Sequence, residues 1–309
     1  MKVLVLGGYG AVGRHVVAAL REAGDTAYTA GRDPARADRV VDLRQGDLTP
    51  ALDGIDVVVN AAGAEQPRLV AQATDAGAAF VDMTATTGYV HAVEAMSPAA
   101  PVLLSVGLAP GLTTLLAAAA YADSPGPVDI ALVLGAGEKH GPAATAWSYG
   151  LIGRRFPDTG GGPPVRNYTR GRAFALPGLG RRRLYRTDFS DQHTLTRELG
   201  APVRTYFGVD SRAATAALAL LTRMPGGSRA PRGLHLPGSD RWVAYARSAA
   251  GRAYWAEGRS QSRATAVVTV SAARRAAGLD AGVHHVTGIL SLAEVAEGAE
   301  GIAVHAPTG

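Results

Sequence analysis

Met1 to Leu20 reads MKVLVLGGYGAVGRHVVAAL. Val3, Leu4, Val5 and Leu6 form a short, continuous apolar run, the pattern of a strand buried on both faces. Gly8-Tyr9-Gly10-Ala11-Val12-Gly13 follows at once and fits G-x-G-x-x-G. Val12, Val16, Val17 and Leu20 then recur at helical spacing. In this order Gly8 is expected to allow the tight turn. Gly10 lets an anion approach the backbone, and Gly13 lets helix and strand pack closely. The free N–H groups and positive dipole at the helix start suit a pyrophosphate. Gly7, Gly8, Tyr9, Gly10, Ala11, Val12 and Gly13 are therefore the first candidate binding residues. The competing reading is a glycine-rich turn in some other α/β protein.

Outward from this stretch, strands and helices alternate. Thr26 to Ala30 reads as a second strand, and Gly31-Arg32-Asp33 stands at its tip, about twenty residues past the glycines, where an adenosine ribose sits in a dinucleotide fold. An acid there accepts from a 2′-hydroxyl; an arginine grips a 2′-phosphate bidentately and stacks on adenine. Arg32, with Arg36 and Arg39 after it, points to NADP rather than NAD, although Asp33 remains within reach of a ribose hydroxyl. Val40 to Leu43 predicts a third strand, Leu48 to Leu52 a short helix, and Asp56 to Asn60 a fourth strand ending in Ala61-Ala62-Gly63. Those small residues leave room for a cofactor at the strand's carboxyl end, or make a tight turn, or both. Pro67 to Ala76 predicts a helix closed by Gly77, Ala79 to Asp82 a strand, Tyr89 to Met96 a helix and Val102 to Val106 a sixth strand. The alternation argues for a doubly wound parallel Rossmann sheet over residues 1–122.

Asp123 to Pro127, with two prolines and a glycine, marks the expected boundary. Beyond it Val128 to Leu134 and Val203 to Val209 read as strands, Ala143 to Ile152 and Arg212 to Leu221 as helices, and Arg154 to Arg172 as loop. Arg181-Arg182-Arg183 falls among short strands. Trp242 to Arg247 and Arg252 to Glu257 read as a hairpin, Val267 to Ala277 and Leu292 to Glu297 as helices. Residues 123–277 are thus expected to form a second, smaller α+β domain with a mainly antiparallel sheet, used for substrate binding and dimerisation. Residues 278–309 are expected to pack back on the first domain.

The composition limits the function classes. Hydrophobic residues make up 47% of 309, ample for a core, and the formal charge is +5, a mild excess spread along the chain. Aromatics are only 6%, and no dense basic stripe interleaves with them, so a nucleic-acid partner is not expected. The absence of cysteine removes disulfides, thiolate catalysis and Cys-based metal sites, and fits a cytoplasmic location. With no HExxH and no acidic cluster at ligand spacing, no metal site is expected. Leu115 to Ala120 is too short to span a bilayer, so no membrane partner is expected, and no secretion signal is read before the first strand.

Several segments together resemble the saccharopine dehydrogenase-like family, which includes saccharopine reductases, carboxynorspermidine dehydrogenases and trans-acting enoyl reductases. Gly7 to Gly13 looks like its opening loop, and Asn60-Ala61-Ala62-Gly63 like its next cofactor-facing turn. Ala76 to Thr84 is similar to its AG-x-x-YVD-x-T segment, with Phe80 for the usual Tyr. Gly107-Leu108-Ala109-Pro110-Gly111-Leu112 is similar to its G-x-x-PG-x turn, which implies that Gly107 and Pro110 lie beside the nicotinamide. Gly282-Val283 to Leu290 resembles the segment that returns to the cofactor domain. The resemblance implies NAD(P)-dependent redox chemistry, often at a C–N bond of an amino-acid-like substrate, and a homodimer formed through the second domain's sheet.

The expectation is therefore an NADPH-dependent oxidoreductase reducing an imine or polarised C=C bond of a small, carboxylated molecule. A non-redox cyclase or lyase that keeps the cofactor, and a non-enzymatic NADP-sensing regulator, are the alternatives. The chemistry needs a proton donor. Lys139 and His140 are favoured, since they follow the strand that opens the second domain; Tyr149, Asp191 and His193 are further candidates. His193, with Asp188 and Asp191 nearby, reads either as a carboxylate-oriented histidine or as part of a solvated turn. Arg154-Arg155 and Arg181-Arg182-Arg183 read either as carboxylate-binding groups or as solvated faces.

Overall fold

The fold is taken from a computed structural model, which describes every residue except 139–141, 228–237, 250, 299–300 and 308–309, and the side chains of residues 142 and 143. The chain divides into two compact units, Met1–Gly111 with Ser262–Glu300, and Leu112–Gln261 with Gly301–Gly309.

The first unit holds a seven-stranded, all-parallel sheet. Its strands are β1 (Lys2–Leu6), β2 (Thr26–Gly31), β3 (Arg39–Val40), β4 (Val57–Asn60), β5 (Ala79–Asp82), β6 (Pro101–Leu104) and β15 (Gly282–His285). Their order is β15-β6-β5-β4-β1-β2-β3, with the order reversing between β1 and β4. Val3 to Leu6, Val57 to Asn60 and Ala79 to Asp82 are buried throughout, as unbroken apolar runs require in a sheet covered on both faces. Helix α1 (Gly13–Glu22) buries Val16, Val17 and Leu20. Helix α2 (Pro67–Asp75) starts on proline and ends in a Schellman turn: Gly77, at φ +80°, donates to the Thr74 carbonyl and Ala78 to that of Ala73. Helix α3 (Thr87–Glu94) precedes β6. The third strand is Arg39–Val40 and not Val40 to Leu43: pairing with β2 ends at the bond from the Val41 amide to the Gly31 carbonyl.

The second unit holds a mixed seven-stranded sheet, in the order β10-β11-β12-β7-β13-β14-β16. Its strands are β7 (Val128–Leu134), β10 (Thr169–Leu176), β11 (Gly180–Arg186), β12 (Val203–Val209), β13 (Arg241–Ser248), β14 (Ala253–Arg259) and β16 (Ile302–His305). Only β12 and β7 pair in parallel; the other pairs are antiparallel. A short ribbon of β8 (Arg155–Phe156) and β9 (Val165–Arg166), with the start of β10, replaces the loop expected over Arg154 to Arg172. Helices α5 (Pro142–Gly150), α6 (Ser190–Leu199) and α7 (Arg212–Leu221) also belong here.

Three boundaries differ from the sequence reading. Helix α4 (Leu112–Asp123) belongs to the second unit: its small alanine surface packs against β7, β13 and α6. Helix α8 (Gln261–Ala273) lies mostly in the first unit, where Thr269 Oγ1 donates to the Val106 carbonyl at 2.7 Å. The C-terminal segment splits. Gly282–His285 pairs with β6, whereas Ile302–His305 pairs with β14 in the second sheet. Between them, helix α9 (Leu292–Gly298) opens with a capping box in which Ser291 Oγ accepts from the Glu294 amide and Glu294 Oε2 accepts from that of Ser291.

Candidate cofactor site

The loop after β1 is built on its glycines, with one change of role. The left-handed residue that turns the chain is Gly7 (φ +72°), not Gly8. A Cβ on Gly7 would lie 3.0 Å from the Ala62 Cα, so the loops after β1 and β4 touch backbone to backbone. Gly8 instead passes close to β2, where its Cβ would meet the Thr29 Cα at 2.9 Å. The Gly7 carbonyl accepts from the Gly10 amide at 2.8 Å and lies 2.1 Å from where a Gly13 Cβ would stand. Packing against the Gly7 carbonyl thus leaves no room for a side chain at Gly13. A Cβ on Gly10 would meet only that carbonyl, at 3.0 Å. The α1 N-terminus has no side-chain cap and no acid in its first turn, and the Ala11 and Val12 amides make no backbone hydrogen bond among the described residues. Such a helix start has the amides and the dipole that could hold an anion.

At the tip of β2, Tyr9 lies over Gly31, whose Cβ would stand 2.3 Å from the tyrosine oxygen. The Asp33 amide donates to that oxygen at 3.2 Å. The Arg36 guanidinium stacks on the Tyr9 ring, 4.3 Å from its centroid, and donates to the Tyr9 carbonyl. Asp33 Oδ1 is engaged in its own turn by the Ala35 amide. Arg32 is exposed. Its charge helps to hold Asp42 at a pKa of about 2, mainly set by the hydrogen bond from Arg44.

The carboxyl ends of β4 and β5 are tied by a fully buried carboxyl. Asp82 Oδ2 accepts from Asn60 Nδ2 (2.8 Å) and the Tyr89 hydroxyl (2.9 Å), and Oδ1 from the Thr84 amide (2.6 Å). Burial pushes the Asp82 carboxyl above its ordinary range, against the pull of these donors. The same asparagine donates to the Ala64 carbonyl and so shapes the Ala61-Ala62-Gly63 turn, with Gly63 at φ +65°. Sequence reasoning met Asn60 and Asp82 as strand ends and as parts of family segments, Thr84 only as part of one, and Tyr89 only as the start of a helix, and gave none of them this shared role. After β6, Gly107 donates to the Pro110 carbonyl at 2.9 Å, and Gly111 (φ +137°) packs on Gly107. Met83 and Thr265 of α8 flank Gly107.

The proton-donor candidates belong to the second unit. Lys139 and His140 lie outside the described residues. Tyr149 is half-buried on α5, and its neighbour Tyr168 is driven up in pKa by burial. His193 is not on a solvated turn. It lies on α6, buried, with Nε2 2.8 Å from Asp188 Oδ1 and its ring edge-on to Phe156. Asp188 is in turn fixed by its amide's bond to Asn167 Oδ1. Asp191 is spent internally: it accepts from Thr113 and Thr205, and burial raises its pKa. Asp191 at the start of α6, Arg197 near its end and Gly200 beyond it were the signals that could have located this helix. Among the described residues no cluster suits a metal ion, and no helix is long and apolar enough to cross a membrane.

The model of the NAD dependent epimerase/dehydratase family matches residues 3–107, the part of the chain that contains the glycine loop and β1 to β6. A comparison with curated proteins finds no match. Among solved structures, the chain is similar to apo saccharopine dehydrogenase (L-Glu forming) from Saccharomyces cerevisiae, with 12% identity over 99% of this chain and 100% of that one and a TM-score of 0.65. It is also similar to amine dehydrogenase from Mycobacterium smegmatis, with 12% identity over 94% and 96% of the two chains and a TM-score of 0.51. The chain has the two-domain α/β fold of saccharopine dehydrogenase.

Proposed function

We propose that the chain is an NADP(H)-dependent oxidoreductase of the saccharopine dehydrogenase-like type, reducing an imine or polarised C=C bond in a small, carboxylated molecule. One observation carries this reading: the glycine cradle at the first βα turn, beside the point where strand order reverses. The matching family model and the fold of two dehydrogenases support it. In this reading the Gly10, Ala11 and Val12 backbone holds the pyrophosphate, Arg32 and Arg36 face the 2′-phosphate, and Ala61 to Gly63 with Gly107 and Pro110 leave room for the nicotinamide half. The bound cofactor supplies the hydride. His193, oriented through Nε2 by Asp188, is the proton carrier of this reading, and Asp82 fixes the ends of β4 and β5 through Asn60 and Thr84. The working form is a homodimer, as the resemblance implies; sedimentation equilibrium is its test.

The direct test is a titration of NADPH fluorescence, then mixing with a panel of cyclic imines and α,β-unsaturated acids. Binding with loss of nicotinamide fluorescence on mixing is expected; no binding, or binding with no oxidation by any member, sinks the proposal. Arg32→Asp is expected to weaken NADPH about 10- to 100-fold, since a charge-assisted bond worth roughly 1.5–3 kcal/mol is lost, and to improve NADH. Equal affinities before and after would remove Arg32 from the site. His193→Asn is expected to lower turnover about 10²- to 10⁴-fold with NADPH affinity unchanged, the range for a lost general acid. Unchanged turnover would return His193 to a structural role.

A further inference from the structure

A second charged cavity lies wholly within the second unit. Strand β11 pairs with β12 only at Tyr185 and Arg186. From Leu184 back to Gly180 it diverges, and the first turns of α7 close the gap. Leu184 Cδ2 and Thr215 of α7 both pack over Gly208, at 2.7 Å and 2.9 Å from where its Cβ would stand. The space left beside this contact is a cavity of about 430 Å³. Four arginines line it, Arg181, Arg182, Arg183 and Arg212, and no carboxylate does. Among the described residues none of the four has an ion-pair partner.

These arginines are positioned in different ways. Arg182 is half-buried and anchored: Nε donates to the Leu179 carbonyl and Nη1 to the Asp210 carbonyl at 2.9 Å. Arg212 opens α7, where the helix dipole adds positive potential, and donates to the Arg181 carbonyl. Arg181 and Arg183 are exposed, alternate on β11, and Arg183 stands over the Tyr185 ring. Val209, Leu184 and Ala216 supply the apolar part of the wall, with Leu184 buried and Ala216 exposed. Four arginines and no carboxylate in the lining give this concavity a positive potential. The volume is that of a small-molecule site.

The geometry points to a binding site here for a small molecule bearing a diphosphate, or two phosphates, on an apolar or aromatic body. Arginine forks match phosphate oxygens bidentately, and the wall and Tyr185 receive the body. The site is independent of the cofactor reading, since every residue in it belongs to the second unit.

Isothermal titration of the Gly10→Val protein, so that the glycine loop does not take up the probe, tests this with inorganic pyrophosphate, orthophosphate, ADP and geranyl diphosphate. Pyrophosphate is expected to bind more tightly than orthophosphate. Arg181→Gln with Arg183→Gln, both at exposed positions, is expected to weaken it about tenfold or more, at the strength of lost charge-assisted bonds. A gain for ADP over pyrophosphate identifies an aromatic body, and a gain for geranyl diphosphate an aliphatic one; either supports the site. Binding unchanged in the double variant, or absent from the parent, overturns it. So does tighter, length-dependent binding of single-stranded RNA, which would make the rim a nucleic-acid face. Circular dichroism of the double variant confirms that a lost signal is not a lost fold. Failure of NADPH binding in the unmodified protein bears on the cofactor proposal alone.

Discussion

Gly10→Val is expected to abolish binding of both NADPH and NADH while leaving the protein folded. The side chain would project where the anion sits. The only atom near a new Cβ is the Gly7 carbonyl oxygen at 3.0 Å, so the loop has little to rearrange. Two lost hydrogen bonds to charged oxygen, at roughly 1.5–3 kcal/mol each, put the loss of affinity at two or more orders of magnitude. Gly13→Ala is the contrasting substitution. Its Cβ would stand 2.1 Å from the Gly7 carbonyl and 2.9 Å from the Gly8 Cα, and both contacts are backbone. That change is expected to cost stability, about 1–3 kcal/mol or more, as overpacked sites do. Fluorescence titration and urea unfolding of the two variants separate the roles. A Gly10→Val protein that still binds NADPH at parental affinity would refute the loop assignment.

The largest effect on stability is expected at Arg186, in the second unit. Its guanidinium is 2% exposed and lies between the Phe156 and Tyr206 rings. Nη1 donates to Asp158 at 3.1 Å and Nη2 to Gln192 at 3.2 Å, while Nε is buried without a partner among the described residues. Arg186→Ala leaves a hole and takes one of the two arginines from Asp158, costing about 3–5 kcal/mol. Arg186→Met keeps the volume between the rings, and Arg170 still pairs with Asp158 at 2.6 Å, so about 1 kcal/mol is the expected cost. Burial works against ionisation of Asp158, but the arginines and the Gly160 amide hold its carboxyl below the ordinary value of 3.8. With the folded value depressed, this stabilisation is complete above 3.8 and is lost as pH falls through the folded value. The Ala variant should therefore lose less stability on acidification than the parent. Equal costs for Ala and Met, read from urea midpoints, would show that the charge rather than the packing sets the effect.

How far these sites could be read from sequence depended on the kind of signal. Val3 to Leu6 and Val57 to Val59 announce themselves because buried parallel strands need unbroken apolar runs. Gly77 announces the end of α2 because few residues adopt its conformation at low cost. The glycine loop was legible as a pattern, but its overlapping glycines hid which one turns the chain; only backbone angles assign that to Gly7. Helix α4 was placed in the wrong unit because an alanine-rich helix looks the same whichever sheet it packs on. His193 was ambiguous because α6 is polar in sequence; Asp191 and Gln192 are buried there with their polar atoms satisfied by Thr113, Thr205, Arg186 and the Thr187 carbonyl, which hydropathy does not encode. The arginine-rimmed cavity needed two coordinates absent from any local pattern, the splay of β11 from β12 and the arrival of α7.

The discontinuity of the first unit has a consequence for biosynthesis. Its parallel sheet ends at β6 until Gly282–His285 is added, and α8, which braces the turn after β6, comes from residues 261–273. A ribosome therefore releases all of the second unit except β16 before the first has its final strand. During that interval the Pro101-Val102-Leu103-Leu104 segment presents an unpaired apolar border, the kind of surface that chaperones shield and that nucleates aggregation. Residues 1–111 expressed by themselves would keep that border for good, whereas a permuted gene that begins at Ser262 and joins Glu300 to Met1 would deliver the first unit as one uninterrupted piece.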